Sequence, residues 1–158
     1  MCETGRVMAL DVGDVRIGVA LSDPMGIIAS PEGAVAAEPE NAALDQLARF
    51  VREKEVRVVV IGLPRLIGGT EGEQARKTRD FARKLRNVLP PETQIYFEDE
   101  RFTTTMARQT IRQKGKKHPN KGEKDAIAAA HILRSFLDRP HATRQLFVIG
   151  GNGGEHTG

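Results

Sequence analysis

Apolar residues fall along this chain in two rhythms, short β-branched runs and longer stretches with helical spacing. Arg6–Val12 (RVMALDV) is the first short run, and it closes on an aspartate. Arg16–Ser22 (RIGVALS) follows after the turn Gly13-Asp14-Val15, a separation that predicts an antiparallel hairpin. A third short strand is predicted near residues 27–30, ahead of Pro31. Asn41 is placed to cap a helix whose apolar residues Leu44, Leu47, Ala48 and Val51 follow the 0, 3, 4, 7 rule. Residues 56–61 (VRVVVI) are almost continuously β-branched, as expected of a central parallel strand buried on both faces.

Gly62-Leu63-Pro64 ends that strand, and a Gly-rich loop follows. Thr70-Glu71-Gly72-Glu73 reads as a capping box, with Thr70 at the N-cap and Glu73 at N3. The helix it opens puts Ala75, Thr78, Ala82, Leu85 and Leu89 on one face and stops at Pro90-Pro91. Residues 93–98 (TQIYFE) are the next strand, and 103–113 a short helix with Met106, Thr110 and Ile111 inward. Residues 114–123 (KGKKHPNKGE) are polar, basic and broken by Gly and Pro, so a mobile loop is expected there. Residues 124–138 form a helix that is apolar on most sides, and such a helix lies flat on a sheet. Residues 145–149 are a candidate edge strand, ahead of a Gly-rich end expected to be disordered. Strand pairs first and βαβ units later imply one mixed α/β sheet with helices on its faces. The expected organisation is one domain over residues 1–140 and a C-terminal extension over 141–158.

Composition narrows the function classes. At 158 residues the chain fits one ordinary domain. No apolar run approaches the ~18–20 residues needed to span a bilayer, and the N-terminus lacks the layout of a secretory signal. The single Cys2 excludes an internal disulfide and a cysteine-based zinc site, which fits a reducing cytoplasm. Trp is absent and Tyr96 is the only Tyr, so a stacking platform for single-stranded bases has little material. The net charge of +3 hides an asymmetry. Residues 101–124 carry eight Lys or Arg and one acid, and residues 76–86 carry six and one. The remainder is acidic. Two basic segments on an acidic body suggest a polyanionic partner, nucleic acid first. For 76–86 a solvated helix face is the favoured reading. For 101–124 it is not, because so few acids are interspersed.

Three acidic positions stand out. Asp11 ends the first strand inside an apolar run, Asp99-Glu100 end the Ile95 strand, and Asp125 sits in the first turn of the last helix. A lone carboxylate in apolar surroundings is costly unless something compensates it. Carboxylates held together repel, and a divalent cation relieves the repulsion. All-oxygen ligands favour Mg²⁺ or Mn²⁺ over zinc. Two such ions can activate water and stabilise the leaving oxygen in phosphodiester hydrolysis. Each acid also has a structural role open to it: helix-dipole pairing for Asp125, a turn cap for Asp11, pairing with Arg101 for Asp99 or Glu100. A competing functional reading takes Asp11-Val12-Gly13 with Gly18 as a phosphate-cradling hairpin of actin-like ATPases. Those enzymes need two such domains, for which this chain has no room.

Taken together, four blocks resemble the YqgF family, small RNase H-like proteins also described as Holliday-junction-resolvase-like. The blocks are Ala9-Leu10-Asp11-Val12-Gly13 with Arg16-Ile17-Gly18-Val19-Ala20 and Ser22-Asp23; Val60-Ile61-Gly62-Leu63-Pro64 with Gly69-Thr70-Glu71-Gly72; Asp99-Glu100-Arg101 with Thr103-Thr104; and Lys121-Gly122 and Lys124-Asp125 running into Ala128-Ala129 and Ile132-Leu133. Their joint order over residues 6–138 is specific. The resemblance implies an RNase H-like fold with a mixed five-stranded sheet and helices on both faces. It also implies metal-dependent nuclease chemistry on structured nucleic acid, at the 5′ end of the 16S rRNA precursor or on branched DNA. It assigns Asp11, Glu100 and Asp125 as catalytic, metal-holding acids for two Mg²⁺ or Mn²⁺ ions. Asp99 stays open as an alternative, since only one of two successive strand residues aims at a given face. The sequence departs from the family at Asp14-Val15, at Arg65-Leu66-Ile67-Gly68, at His131 and in a longer tail.

Arg16, Arg101, Lys114, Lys116, Lys117, Lys121 and Lys124 are the expected nucleic-acid contacts. The alternative class is a non-catalytic nucleic-acid-binding factor of ribosome assembly or transcription, with the acids structural. A homodimer would suit a two-fold symmetric four-way junction and is not required for trimming an rRNA.

Overall fold

The computed structural model describes residues 5–64, 72–99, 121–139 and 145–146. Among them, six strands form one sheet: β1 (Arg6–Val12), β2 (Arg16–Ser22), β3 (Ala29–Ala36), β4 (Val56–Leu63), β5 (Gln94–Asp99) and β6 (Gln145–Leu146). Their order is β3-β2-β1-β4-β5-β6. β1, β2 and β3 make an antiparallel meander, β4 and β5 run parallel to β1, and β6 returns antiparallel to β5. The five longer strands are the mixed sheet expected from sequence, and β6 adds two residues at its edge. The helices are α1 (Glu40–Glu53), α2 (Glu73–Val88) and α3 (Lys121–Asp138).

Alternation along the strands divides the core in two. Met8 and Leu10 of β1, with Ile17 and Val19 of β2, pack against α1 and α2. Val7 and Ala9 of β1, with Ala20 of β2 and Val60 of β4, pack against α3. Val59, Val60 and Ile61 are fully buried, because β4 has helices on both of its faces. The α3 side is built from small residues: Ala9 and Ala20 below, Ala129 and Ala130 above. The helix therefore lies close to the sheet. Larger groups fill the space toward its C-terminus, where the Phe136 and Tyr96 rings meet at 5.3 Å.

The structure corrects four boundaries. β3 is longer than expected and runs through Pro31, which an edge strand tolerates because it has one unpaired side. α1 begins at Glu40 with Pro39 at its N-cap, so Asn41 is inside the helix and is not its cap. α2 begins at Glu73 with Gly72 at its N-cap, so the box centred on Thr70 does not open it. α3 starts at Lys121, three residues into the expected loop. The expected helix at 103–113 and most of the basic loop lie outside the described residues.

One buried charge ties the two ends of the fold together. Glu98 of β5 is 1% exposed and faces α3. Its carboxylate accepts Ser135 Oγ at 2.6 Å and the Arg139 guanidinium at 3.0 and 2.7 Å. The carboxylate in turn raises the pKa of Arg139 above its ordinary value, against the opposing effect of burial. Removing one partner of such a pair leaves a buried charge uncompensated. Arg139→Met should lower unfolding stability in urea by about 3 kcal/mol, and adding Glu98→Leu should restore most of the loss.

Candidate active site

The β1–β2 hairpin places the first acid. Gly13 N–H donates to Arg16 O at 3.0 Å, and a Cβ at Gly13 would lie 2.8 Å from that oxygen, so the tight turn requires glycine. The hairpin pairs Asp11 with Gly18. Asp11 continues the series Val7, Ala9 and therefore lies on the α3 side of the sheet. It is half-buried and engaged by neighbours.

Gly18 places the second acid. A Cβ at Gly18 would collide with the backbone carbonyl of Asp125. The first turns of α3 thus rest directly on the bare backbone of β2, one strand from Asp11 and level with it. Asp125 is half-buried, and its Oδ2 accepts Arg16 Nε at 2.7 Å. Arg16 and Gly18 are two residues apart on one strand and share the α3 face. Asp11, Arg16 and Asp125 are consequently gathered around one point, the glycine. The seat of α3 also covers Gly18, which leaves no open cradle there for a nucleotide phosphate.

The third acid comes from a strand that is not adjacent. β4 stands between β1 and β5. Leu10 is in register with Ile61, and Gly62 with Glu98. The position beside the end of β1 is thus Gly62, which carries no side chain into the space between the acids. On β5, Glu98 faces α3, so Asp99 has the opposite parity. Glu100 lies outside the described residues, as do Arg101, Lys114, Lys116 and Lys117. Among the described residues, no group of three or more His, Cys, Asp or Glu is placed to hold a metal. The donor set that is described, two carboxylates with one oxygen of Asp125 taken by Arg16, suits a hard oxygen-seeking cation such as Mg²⁺ or Mn²⁺. Lys121 and Lys124 are exposed on the first turn of α3, beside Asp125.

The basic helix α2 is a different case. Lys77 pairs with Asp14, Arg83 with Asp80, and Lys84 with Glu40. Arg79 stacks 5.0 Å over the Phe97 ring, and Arg86 donates to the carbonyls of Pro90 and Thr93. Most of this segment's charge is committed within the protein, as its interspersed acid suggested. Sequence reasoning misses two site residues. Gly18 shows in the sequence only as part of a turn motif, and its role depends on a residue 107 positions away. Glu98 shows only as the last residue of a strand. Its signal is its parity, a carboxylate in the inward series of a buried strand.

The strand order and the helices on both faces define an RNase H-like α/β fold. The chain belongs to the Holliday junction resolvase family RuvX, whose model matches residues 5–139. It is 41% identical over 135 residues to a protein of Sulfurihydrogenibium sp. named "Putative pre-16S rRNA nuclease", covering 85% of this chain and 90% of that one. Proteins of the same name from Roseiflexus sp. and Streptomyces avermitilis are 43% and 44% identical, covering 86% and 85% of this chain and 96% and 86% of theirs. Among solved structures, T. thermophilus RuvC in complex with Holliday junction substrate aligns with a TM-score of 0.60 at 11% identity, over 90% of this chain and 99% of that one. At that identity the likeness is one of fold. No helix among the described residues is long and apolar enough to cross a membrane.

The seat of α3 on Gly18 is directly testable. Gly18→Ala should displace the first turn of α3 and cost about 2–3 kcal/mol in urea unfolding, the range of an overpacked core. Nuclease activity should fall by more than the stability loss explains, because Asp125 moves with the turn.

Proposed function

We propose that this protein is a divalent-metal-dependent nuclease acting on structured nucleic acid in the cytoplasm, with precursor 16S rRNA as its favoured substrate. The observation that carries the reading is the gathering of Asp11, Arg16 and Asp125 around Gly18 at the carboxyl end of β1. Asp11 and Asp125 hold the cations, joined by Glu100. Asp99 has the parity opposite to Glu98, which disfavours it as a ligand on the α3 face. When bound, Mg²⁺ or Mn²⁺ activates the attacking water and stabilises the departing oxygen. Arg16 orients the Asp125 carboxylate through Nε and presents its other guanidinium nitrogens to a phosphate. Lys121 and Lys124 bind flanking phosphates, as do Arg101, Lys114, Lys116 and Lys117 of the basic segment. Phosphate contacts of this kind position the strand without reading its sequence. The name shared by relatives about 40% identical supports the rRNA substrate. The family's description supports a second reading, a four-way DNA junction cut by a homodimer.

Cleavage should be assayed with and without Mn²⁺ or Mg²⁺ on a 5′-extended 16S rRNA precursor, single-stranded RNA and DNA, and a four-way junction. Metal-dependent cutting is expected, fastest on the precursor. Asp11→Asn should abolish it, with a loss of about a thousandfold or more, and leave binding nearly unchanged. Binding without cutting on every substrate, the same in both proteins, would favour a non-catalytic assembly factor instead.

A further inference from the structure

The opposite end of the sheet carries a second concentration of positive charge. A hollow of about 700 Å³ opens at the start of β1 and β4, beneath the end of α1 and beside the turn that precedes β5. Arg6, Arg52, Lys54 and Arg57 line it, against the acids Glu55 and Glu92. The chain has only ten Lys or Arg outside the two basic segments, so four of the ten stand around one concavity in an otherwise acidic body.

Like Arg49, Arg76, Lys121 and Lys124, these four form no ion pair among the described residues, and they alone of that group stand around one hollow. Arg16, Arg134 and Arg139 are each paired with a carboxylate, as are Lys77, Arg83 and Lys84 of α2. Among the described residues, no ion pair involves the four cations of the hollow. Arg6 donates to the Lys54 carbonyl at 3.4 Å, and Lys54 stands 6.0 Å over the Phe50 ring. The wall is preformed: Arg86 binds the carbonyls of Pro90 and Thr93 and so fixes the turn. Four cations against two acids leave a net positive concave wall, and such a wall focuses positive potential.

We propose that this hollow is a second phosphate-backbone site, remote from the carboxylates, that holds a flanking segment of the nucleic acid. The identity of its ligand rests on the nuclease reading. Arg6 and Asp11 are five positions apart on β1, about 17 Å of extended strand. Phosphates of one strand are about 3.4 Å apart along a duplex, so the hollow meets the substrate at least about five nucleotides from the cut. Bases are not contacted, and the hollow selects length and shape rather than sequence. A protein that cuts at a defined place in a long folded precursor gains register from two separated grips.

The test compares wild type with the combined variant Arg52→Gln, Lys54→Gln, Arg57→Gln, three exposed positions. Affinity is read by fluorescence anisotropy in EDTA over a range of salt, so cleavage plays no part. The probes are an RNA hairpin with single-stranded flanks of about twelve nucleotides and the same hairpin with flanks of about two. For the long probe, affinity should fall about tenfold or more. Its log–log salt slope should flatten by about two, near 0.7 for each phosphate no longer neutralised. The short probe should bind both proteins equally, and its metal-dependent cleavage should not change. An unaltered slope and affinity on the long probe would overturn the proposal. Equal losses on both probes would also overturn it, since they would reflect diffuse charge rather than a remote site. Intact RNA binding with lost binding to polyglutamate would overturn it in favour of an acidic protein partner. If wild type cleaves nothing, the nuclease reading fails, while the dependence on flank length still decides the hollow.

Discussion

The close approach of α3 to β2 at Gly18 is the interaction on which the rest of the arrangement depends. A helix can rest its backbone on a strand only where side chains are absent or small. This sheet supplies Gly18, Ala9 and Ala20 along the path, and the helix answers with Ala129 and Ala130. Small residues bury little apolar area, so they contribute little to stability. The holding power of α3 is displaced toward its other end. There Ile132, Leu133 and Phe136 fill the gap, and the Glu98–Arg139 pair fixes the helix to β5. The result is a helix anchored at one end so that the other can be placed precisely. The anchored end does the packing, and the thin end carries Asp125.

Charge along the chain does not by itself reveal which cations are available. The six bases of α2 look like a binding face in sequence, yet most are absorbed by acids, a ring and carbonyl groups. The fewer bases around the N-terminal end of the sheet are Arg52, Lys54 and Arg57, interleaved with acids in one short segment, and Arg6, which the parallel β1–β4 pairing brings to them. Local density of Lys and Arg overstates the first group and conceals the second. What separates them is the partner each finds once the chain is folded.

Much of the fold is legible in the sequence because strand and helix periodicities are local. The hairpin, the doubly buried β4 and the inward faces of α1 and α2 follow from spacing alone. The missed boundaries share a cause. Side chains able to cap, at Asn41 and Thr70, point to helix starts that the chain does not use. It starts instead after Pro39 and Gly72, with no side-chain cap bond. The start of α3 is masked by the Gly and Pro of the preceding segment. Within the candidate site, Asp11 is visible as an acid in an apolar run, and Asp125 as an acid that leads into the apolar stretch of the last helix. Strand periodicity does not say which strands are neighbours, and β1 and β5 are not. β4 intervenes, with the bare backbone of Gly62 in register with Glu98. A glycine needed for what it lacks gives no signal that distinguishes it from a glycine in a turn.

The Arg16–Asp125 pair bears on how the proposed metal site would hold together before a metal binds. Two carboxylates held on one face of a sheet repel, and part of the energy that folds the domain is spent holding them together. A cation built into the hairpin offsets that repulsion from within. Arg16 is suited to this because a guanidinium is only weakly hydrated, so partial burial costs it less than it would cost an ammonium group. It also bonds a single oxygen of Asp125, leaving the other free for a further ligand. The same hairpin that presents Asp11 therefore supplies its neighbour's counterion. The tight turn at Gly13, the bare Gly18 and the charge of Arg16 act as one device, encoded in eight consecutive residues from Asp11 to Gly18, that needs α3 only to bring Asp125 onto it.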